Sequence, residues 1–212
     1  SVLMGVLVGF IGIAFVYAIQ WVTTFRTGHW WTVLTLPAGG LLIVWLYRIS
    51  HDQNDKGTNM VLASLRAETE LPMQMAPLIF ISTVVTHFCG GSAGREGVAV
   101  QLGAAVSHNI GSRIPWFRSI PDAVPILTIA GMAAGFSGLF HAPLAAVCFA
   151  LEVLAIGKLE YRALLPAAIA AVTANWISVA LGLETFQVAL PEAGFAPLSV
   201  PVLLLGISSG IV

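Results

Sequence analysis

The long apolar stretches of this chain constrain its fold more than any other feature. Residues 2–25 and 31–49 each provide the roughly 20 apolar residues that a helix needs to cross a bilayer. Further apolar segments cover residues 73–89, 123–139, 143–156 and 162–181, and another begins near Pro197 or Pro201. Because a segment in lipid must satisfy its own backbone polar groups, these stretches predict helices. The expected fold class is an all-α integral membrane protein.

Composition agrees with this class and excludes several others. Only 9% of the 212 residues are charged and 58% are hydrophobic, whereas soluble domains are about a quarter charged. A net charge of -1 provides no global field that would attract nucleic acid. Neither the cysteines nor the histidines show metal-ligand spacing, and no nucleotide-binding loop or catalytic carboxylate pair is present. We therefore expect no metal, no cofactor, no nucleic-acid partner and no catalytic residues.

The basic residues predict how the chain is oriented in the membrane. Seven of them fall in short loops that lie on one side if the segments alternate: Arg48, Lys56, Arg66, Arg113, Arg118, Lys158 and Arg162. The loop 182–197 holds Glu184 and Glu192 and no basic residue. The positive-inside rule makes the basic side cytoplasmic and the acidic loop external, with Arg26 as the exception.

Residues 90–103, GGSAGREGVAVQLG, interrupt the hydrophobic pattern ahead of a second short helix at about 98–110. Unwound backbone at membrane depth is tolerated only where it is buried in protein or lines a cavity. The interruption also carries the pair Arg95 and Glu96, and an ionisable residue within the membrane indicates function. The pattern predicts a binding site.

Glu96 is the leading candidate because it stands at a helix start, where free N–H groups and the helix dipole favour negative charge. A deprotonated Glu96 would occupy an anion site as a tethered competitor, and a protonated one would leave it, which couples anion passage to proton passage. The alternative is a carboxylate that caps the helix and pairs with Arg95. Arg95 would either line an anion entry path or fix the loop. Gly94 and Gly97 permit close ligand approach, or simply helix packing.

The segment 57–65, GTNMVLASL, predicts a second helix start in a helix too short to span. Thr58 or Asn59 is suited to the N-cap position. Converging half-helices form the ion sites of many transporters, so this helix start is a candidate second pole of the same anion site; an ordinary capped loop is the alternative. Met60 would wall a small cavity with its polarisable side chain.

Two further residues are secondary candidates for proton movement. Glu152 lies near the inner end of its helix and would either relay protons or pair with Lys158 or Arg162, the pairing being the favoured interpretation. His87 precedes Glu96 by nine positions and would assist proton movement or, as we favour, serve packing.

Three motifs carry a family resemblance. GREGVAVQLG at 94–103 resembles the GREGP-x-VQ-x-G motif of the CLC chloride channels and anion/proton exchangers. GLFHAPLAAVCFALEVL at 138–154 resembles the F-x-AP-L-A-x-x-x-F-x-x-E stretch of that family, and residues 57–61 fall where the family has GSGIP. The resemblance implies one CLC-type transmembrane domain over 1–212, with tilted and broken helices, that corresponds to the first of two inverted halves and the start of the second.

Carried over by position, the resemblance assigns roles to the candidate residues. Glu96 becomes the gating and proton-transfer glutamate, and Thr58 takes the place of a serine near the central anion site. The implied anion-binding set is Thr58, Asn59, Met60, Gly94, Arg95, Gly97, and the backbone N–H groups of Val98 and Ala99. The family further implies a homodimer with an interface on helices 143–181, contact with membrane lipid, and a multi-pass location in the bacterial plasma (inner) membrane.

Three departures from the family motifs point to one branch. Val98 replaces the proline of GREGP, GTNMV replaces GSGIP, and Val153 stands where chloride/proton exchangers carry an inner glutamate. Together they resemble the fluoride/proton antiporter (CLC-F) branch, in which a methionine is associated with the anion path. Either Asn59 or Met60 occupies the position that corresponds to this methionine. The implied function is fluoride/proton antiport.

The resemblance leaves other functions open. A passive chloride or fluoride channel and a chloride/proton exchanger are the alternatives within the family. The chain begins and ends within apolar runs, so we expect a part of a longer protein, whose second half would supply further anion ligands from a GxFxP-type motif. A structural half that does not transport without a partner half is a third possibility.

Overall fold

The computed structural model describes residues 1–50, 57–65, 70–153 and 161–183. Regular structure in these ranges is helical throughout. The helices are α1 Val2–Thr27, α2 Leu36–Ile49, α3 Thr58–Leu65, α4 Met75–Phe88, α5 Glu96–Arg113, α6 Pro115–Arg118, α7 Ala123–Phe140, α8 Pro143–Glu152 and α9 Leu164–Ala180. Short 3₁₀ turns at Trp30–Thr35 and Tyr161–Ala163 lead into α2 and α9. The segment expected near Pro197 or Pro201 lies outside the described residues.

Within the described ranges, four helical stretches are long and apolar enough to cross a membrane: Val2–Thr27, Trp30–Ile49, Ala123–Phe140 and Tyr161–Ala180. They coincide within about two residues with the predicted segments 2–25, 31–49, 123–139 and 162–181, because apolar length sets the distance that a helix can cross. The all-α membrane fold is confirmed.

Helix α7 lies at the centre and packs against α1, α5, α8 and α9. Its contact with α5 is made through glycine: a Cβ atom at Gly103 would overlap the carbonyl oxygen of Gly131, and one at Gly135 would overlap that of Ala99. Backbones this close are typical of membrane helices that pack through small residues. Gly131 and Gly135 of α7 are accordingly buried at this crossing.

Helix α5 is longer than predicted. The sequence favoured a short helix at about 98–110, whereas α5 has 18 residues, from Glu96 to Arg113. Gly103 and Gly111 are contact points against α7 within a continuous helix, and they do not break it. The interruption between α4 and α5 is confined to residues 89–95.

Helices α1 and α9 run side by side in the same direction. A Cβ at Gly5 would lie 2.6 Å from the Ala170 carbonyl oxygen, and the Tyr17 hydroxyl donates to the Leu181 carbonyl oxygen at 3.2 Å. Arg26, near the end of α1, is thus at the same end of the molecule as the end of α9, from which the acidic loop continues. This position agrees with the prediction that Arg26 is the exception among the basic residues.

Candidate functional site

The start of α5 exposes backbone donors. Arg95 precedes the helix and Glu96 is its first residue. The first helical hydrogen bond runs from the Ala99 N–H to the Arg95 carbonyl oxygen, at 2.9 Å. The N–H groups of Glu96, Gly97 and Val98 therefore have no acceptor within the helix, and with the helix dipole they form an anion-attracting terminus.

The same hydrogen bond corrects one expectation. The family resemblance assigned the N–H groups of both Val98 and Ala99 to an anion. Because the Ala99 N–H is used by the Arg95 carbonyl oxygen, Val98 is the member of that pair with a free donor.

Glu96 and Arg95 are both exposed at this terminus. Within the described residues no ion pair joins them, and no side-chain hydrogen bond caps the helix. The interpretation of Glu96 as a helix cap paired with Arg95 therefore finds no support in this part of the chain. Gly94 adds open space beside them, since a Cβ there would meet no atom within 4 Å.

The start of α3 exposes a second set of donors. Thr58 is the first residue of α3, and Gly57 before it has a φ of +59°, a conformation that glycine adopts without strain. Thr58 and Asn59 therefore lie inside the helix and not at the predicted cap position. The Met60 N–H donates to the Gly57 carbonyl oxygen at 3.0 Å, which leaves the N–H groups of Thr58 and Asn59 without an acceptor in the helix.

The two helix starts meet at one hydrogen bond. The Nε2 of Gln101, one turn into α5, donates to the Thr58 Oγ1 at 2.9 Å. A Cβ at Gly97 would lie 3.6 Å from that nitrogen and 3.7 Å from the Thr58 Oγ1. The donors of α3 and α5 are thus brought together, in an arrangement that would attract a small anion.

The three residues that depart from the family motifs lie against one buried cluster. Met60, Val98 and Val153 are partly buried, and each packs against the core that includes Val61 and Val100. Asn59, in contrast, is exposed. Of these two residues, Met60 is therefore the one that packs against the core beside the start of α3.

Among the described residues, neither secondary candidate makes a hydrogen bond with these donors. Glu152 is the exposed last residue of α8. Arg162, one of its two expected partners, pairs instead with Asp122, with 3.0 Å between Nη1 and Oδ2; the other, Lys158, lies outside the described residues. The Nδ1–H of His87 donates to the Thr83 carbonyl oxygen at 2.8 Å, which favours a packing role for this ring.

Sequence reasoning missed the polar residues inside α5. Gln101 stood in the GREGVAVQLG motif without a role, although a polar side chain one turn from Gly97 was the available signal. His108 and Asn109 hold the backbone of Leu71 from both sides: the Leu71 N–H donates to His108 Nε2 at 3.4 Å, and Asn109 Nδ2 donates to the Leu71 carbonyl oxygen at 3.3 Å.

A cavity of about 1030 Å³ adjoins these residues at the far end of α5. Arg113, Arg118 and Glu70 line it together with His108 and Asn109. Two of the basic residues predicted to be cytoplasmic therefore face the same space, at the opposite end of α5 from Glu96.

Comparison with known proteins decides the family. Residues 39–212 match the family described as voltage gated chloride channel. The chain belongs to this family, whose members named below are channels and transporters of anions. Its motif-based assignment to the CLC proteins is thereby confirmed.

Two curated bacterial relatives show how the CLC chain relates to named proteins. A chloride/fluoride channel protein of Pseudomonas syringae pv. tomato is 32% identical over 99% of this chain and 46% of its own length. An H(+)/Cl(-) exchange transporter, ClcA, of Klebsiella pneumoniae is 31% identical over 72% of this chain and 35% of its own length. The chain spans about half, or less, of the curated relatives that it matches.

Solved structures agree on the fold. A CLC-type fluoride/proton antiporter matches with a TM-score of 0.86 and 39% identity, over 99% of this chain and 52% of the other. A slow cyanobacterial Cl-/H+ antiporter matches with a TM-score of 0.73 and 24% identity, over 99% of this chain and 53% of the other. The likeness to the second shows the fold alone.

Proposed function

We propose that this CLC chain is part of a transporter that exports fluoride in exchange for protons, with Glu96 as gate and proton carrier. The observation that carries the proposal is the position of Glu96, an exposed acid that begins α5 where the first-turn N–H groups have no acceptor in the helix, beside the start of α3. The solved fluoride/proton antiporter and the curated chloride/fluoride channel protein support the choice of anion.

The mechanism follows from competition at these helix starts. Deprotonated Glu96 is attracted to the N–H groups of Glu96, Gly97 and Val98 and excludes a free anion. Protonation removes its charge and therefore its affinity for the helix dipole, so the side chain leaves and a fluoride ion takes its place. Fluoride then leaves outward as Glu96 gives up its proton inward and returns.

The proposed anion-binding residues are those that surround the two helix starts. They are Thr58, Asn59, Met60, Gly94, Arg95, Gly97 and Val98. Because the chain spans about half of its relatives, we propose that residues 1–212 form one CLC-type transmembrane domain and that the rest of the pore completes the anion site. The bacterial relatives support a location in the bacterial plasma membrane.

Glu96→Gln tests the proposal in the complete transporter reconstituted in liposomes. An outward fluoride gradient is expected to drive proton uptake in the wild type, measured with a fluoride electrode and a pH-sensitive dye. The variant is expected to lose proton uptake, since an amide cannot carry the proton. Proton-independent fluoride movement in the wild type would overturn the proposal.

Asp122→Asn is the matched control for this substitution. Asp122 is an exposed acid with a φ of +60°, and asparagine tolerates that conformation. The control also replaces a carboxylate by an amide, but at a position that is not part of either helix start. It is expected to retain coupled transport.

A passive anion channel is the second candidate, because one curated relative is named as a channel. In that case Glu96 would gate the pore without carrying protons. The reversal potential in a pH gradient separates the two functions: it shifts with the gradient in a coupled exchanger and ignores it in a channel.

We also propose a homodimer formed through α8 and α9. The observation that supports it is the set of large apolar side chains that these helices expose, among them Leu144, Leu165 and Trp176. Counting subunits by single-molecule photobleaching in liposomes tests the proposal. A single bleaching step in most spots, at full labelling, would contradict it.

A further inference from the structure

The Gln101 amide lies between the two helix starts, with a glycine of each close to it. Gln101 is partly buried on α5, one turn after Gly97. A Cβ added at Gly57 would lie 3.4 Å from its Nε2, and one added at Gly97 would lie 3.6 Å away. The backbone therefore approaches the amide from α3 and from α5, and the Nε2 is held against the Thr58 hydroxyl.

The donors and acceptors at this contact determine which role the Thr58 hydroxyl has in the hydrogen bond. A threonine hydroxyl carries one proton and two lone pairs, whereas an amide nitrogen can only donate. Because Gln101 Nε2 donates to Thr58 Oγ1, the contact uses a lone pair and leaves the hydroxyl proton available. Among the described residues, Thr58 Oγ1 makes no hydrogen bond as a donor. The available proton requires an acceptor other than Gln101.

The surroundings of this proton favour an anion as that acceptor. The N–H groups of Thr58 and Asn59 at the start of α3, like those of Gly97 and Val98 on α5, have no acceptor in their helices. These N–H donors lie at the positive ends of two helix dipoles. A negatively charged acceptor is therefore more favourable here than a neutral one.

We propose that Gln101 is a positioning residue that orients the Thr58 hydroxyl as a donor to the transported anion. This inference rests on the proposed anion transport and deepens it, because an obligatory donor favours fluoride, the stronger hydrogen-bond acceptor, over chloride. A plain mechanical clamp between α3 and α5 is the competing role for the same hydrogen bond.

Four variants of the complete transporter test the inference through fluoride KM and kcat. Gln101→Met keeps the side-chain length and removes the amide, and it is expected to raise the fluoride KM about three- to tenfold with little change in kcat. Thr58→Val removes the donor itself and should raise KM about ten- to a hundredfold. The double variant should be no worse than Thr58→Val, and Thr58→Ser should stay near the wild type.

Matched controls come from α1. Gln20→Met and Thr24→Val make the same chemical changes at exposed positions of that helix. They are expected to leave the fluoride KM unchanged.

A second measurement separates orientation from clamping. Fluoride that binds the folded protein raises its Tm. If Gln101 orients the donor, Gln101→Met shrinks this fluoride-induced rise and lowers the fluoride-to-chloride transport ratio. If Gln101 is only a clamp, the variant lowers the Tm without anion, and both the rise and the ratio stay as in the wild type, which would overturn the inference.

The outcomes also distinguish the inference from the proposed function. A wild type that moves chloride but no fluoride would overturn the proposed function, and the chloride KM of the same variants then decides whether Gln101 orients Thr58. Fluoride transport with an unchanged KM in Gln101→Met would overturn the inference alone. A wild type that moves neither halide overturns both.

Discussion

At the scale of the residue, the proposed anion binding depends on which backbone N–H groups lack a helical acceptor. Val98 is the third residue of α5, so its N–H has no helical acceptor, whereas that of the next residue, Ala99, is bonded to Arg95. Family motifs have a proline at the position of Val98. A proline there would remove the donor without removing a helical hydrogen bond, because the first turn of a helix tolerates proline.

Val98→Pro is therefore expected to weaken fluoride binding while the helix persists. The loss of one hydrogen bond to an anion costs about 1.5–3 kcal/mol, so the fluoride KM should rise about tenfold or more. Fluoride transport in liposomes and helicity by circular dichroism are the measurements. Val98→Ala, which retains the N–H and shortens the side chain, is the control, and an equal KM increase in both variants would contradict the role of the N–H.

At the scale of the element, the packing of α5 on α7 positions the candidate site. Gly103 and Gly131 allow the two backbones to touch, and Gln101 on the same helix α5 reaches Thr58 of α3. A side chain at the crossing would push α5 outward and with it the donors of its first turn. The packing of α5 on α7 therefore determines where the donors of the candidate site lie.

Gly103→Ala is expected to destabilise the protein. Its Cβ would overlap the Gly131 carbonyl oxygen, and overpacking a close contact costs about 1–3 kcal/mol or more. The measurement is the Tm of the detergent-solubilised protein.

Gly40→Ala on α2 provides the matched control. A Cβ at Gly40 would meet no atom within 4 Å, so alanine there should stabilise the helix by about 0.5–1 kcal/mol. A Gly103→Ala protein as stable as the Gly40→Ala protein would contradict the proposed crossing.

At the scale of the whole molecule, charge and helix direction define two ends. Arg162 pairs with Asp122 at one end, where Arg113 and Arg118 line a common cavity. Arg26 lies at the other end, beside the end of α9. The positive-inside rule assigns the first end to the cytoplasm.

Labelling with a membrane-impermeant maleimide tests this orientation. Thr27→Cys near the end of α1 is expected to react in intact cells, and Ser119→Cys, after α6, only after the membrane is opened. Both positions are exposed. The background is Cys148→Ser, because the Cys148 thiol is exposed whereas the Cys89 thiol is buried. Labelling of Ser119→Cys alone in intact cells would reverse the assignment.

The spans, the all-α class and the family could be predicted from the sequence because each depends on local information. Apolar length sets whether a helix crosses the bilayer, and the motif at 94–103 places Glu96 at a helix start whatever surrounds it. The extent of α5 could not be predicted in this way. A glycine that breaks a helix and a glycine that packs against a neighbour look alike in sequence, and only the contact with α7 distinguishes them.

The sequence by itself determined that this is a helical membrane protein of the CLC family with an acid at a helix start. The tertiary structure decided which donors are free and which residues meet. Gln101 and Thr58 are 43 positions apart, and their hydrogen bond depends on how α3 and α5 approach each other. Local propensity carries no information about that approach, because it results from the packing of both helices against the shared core.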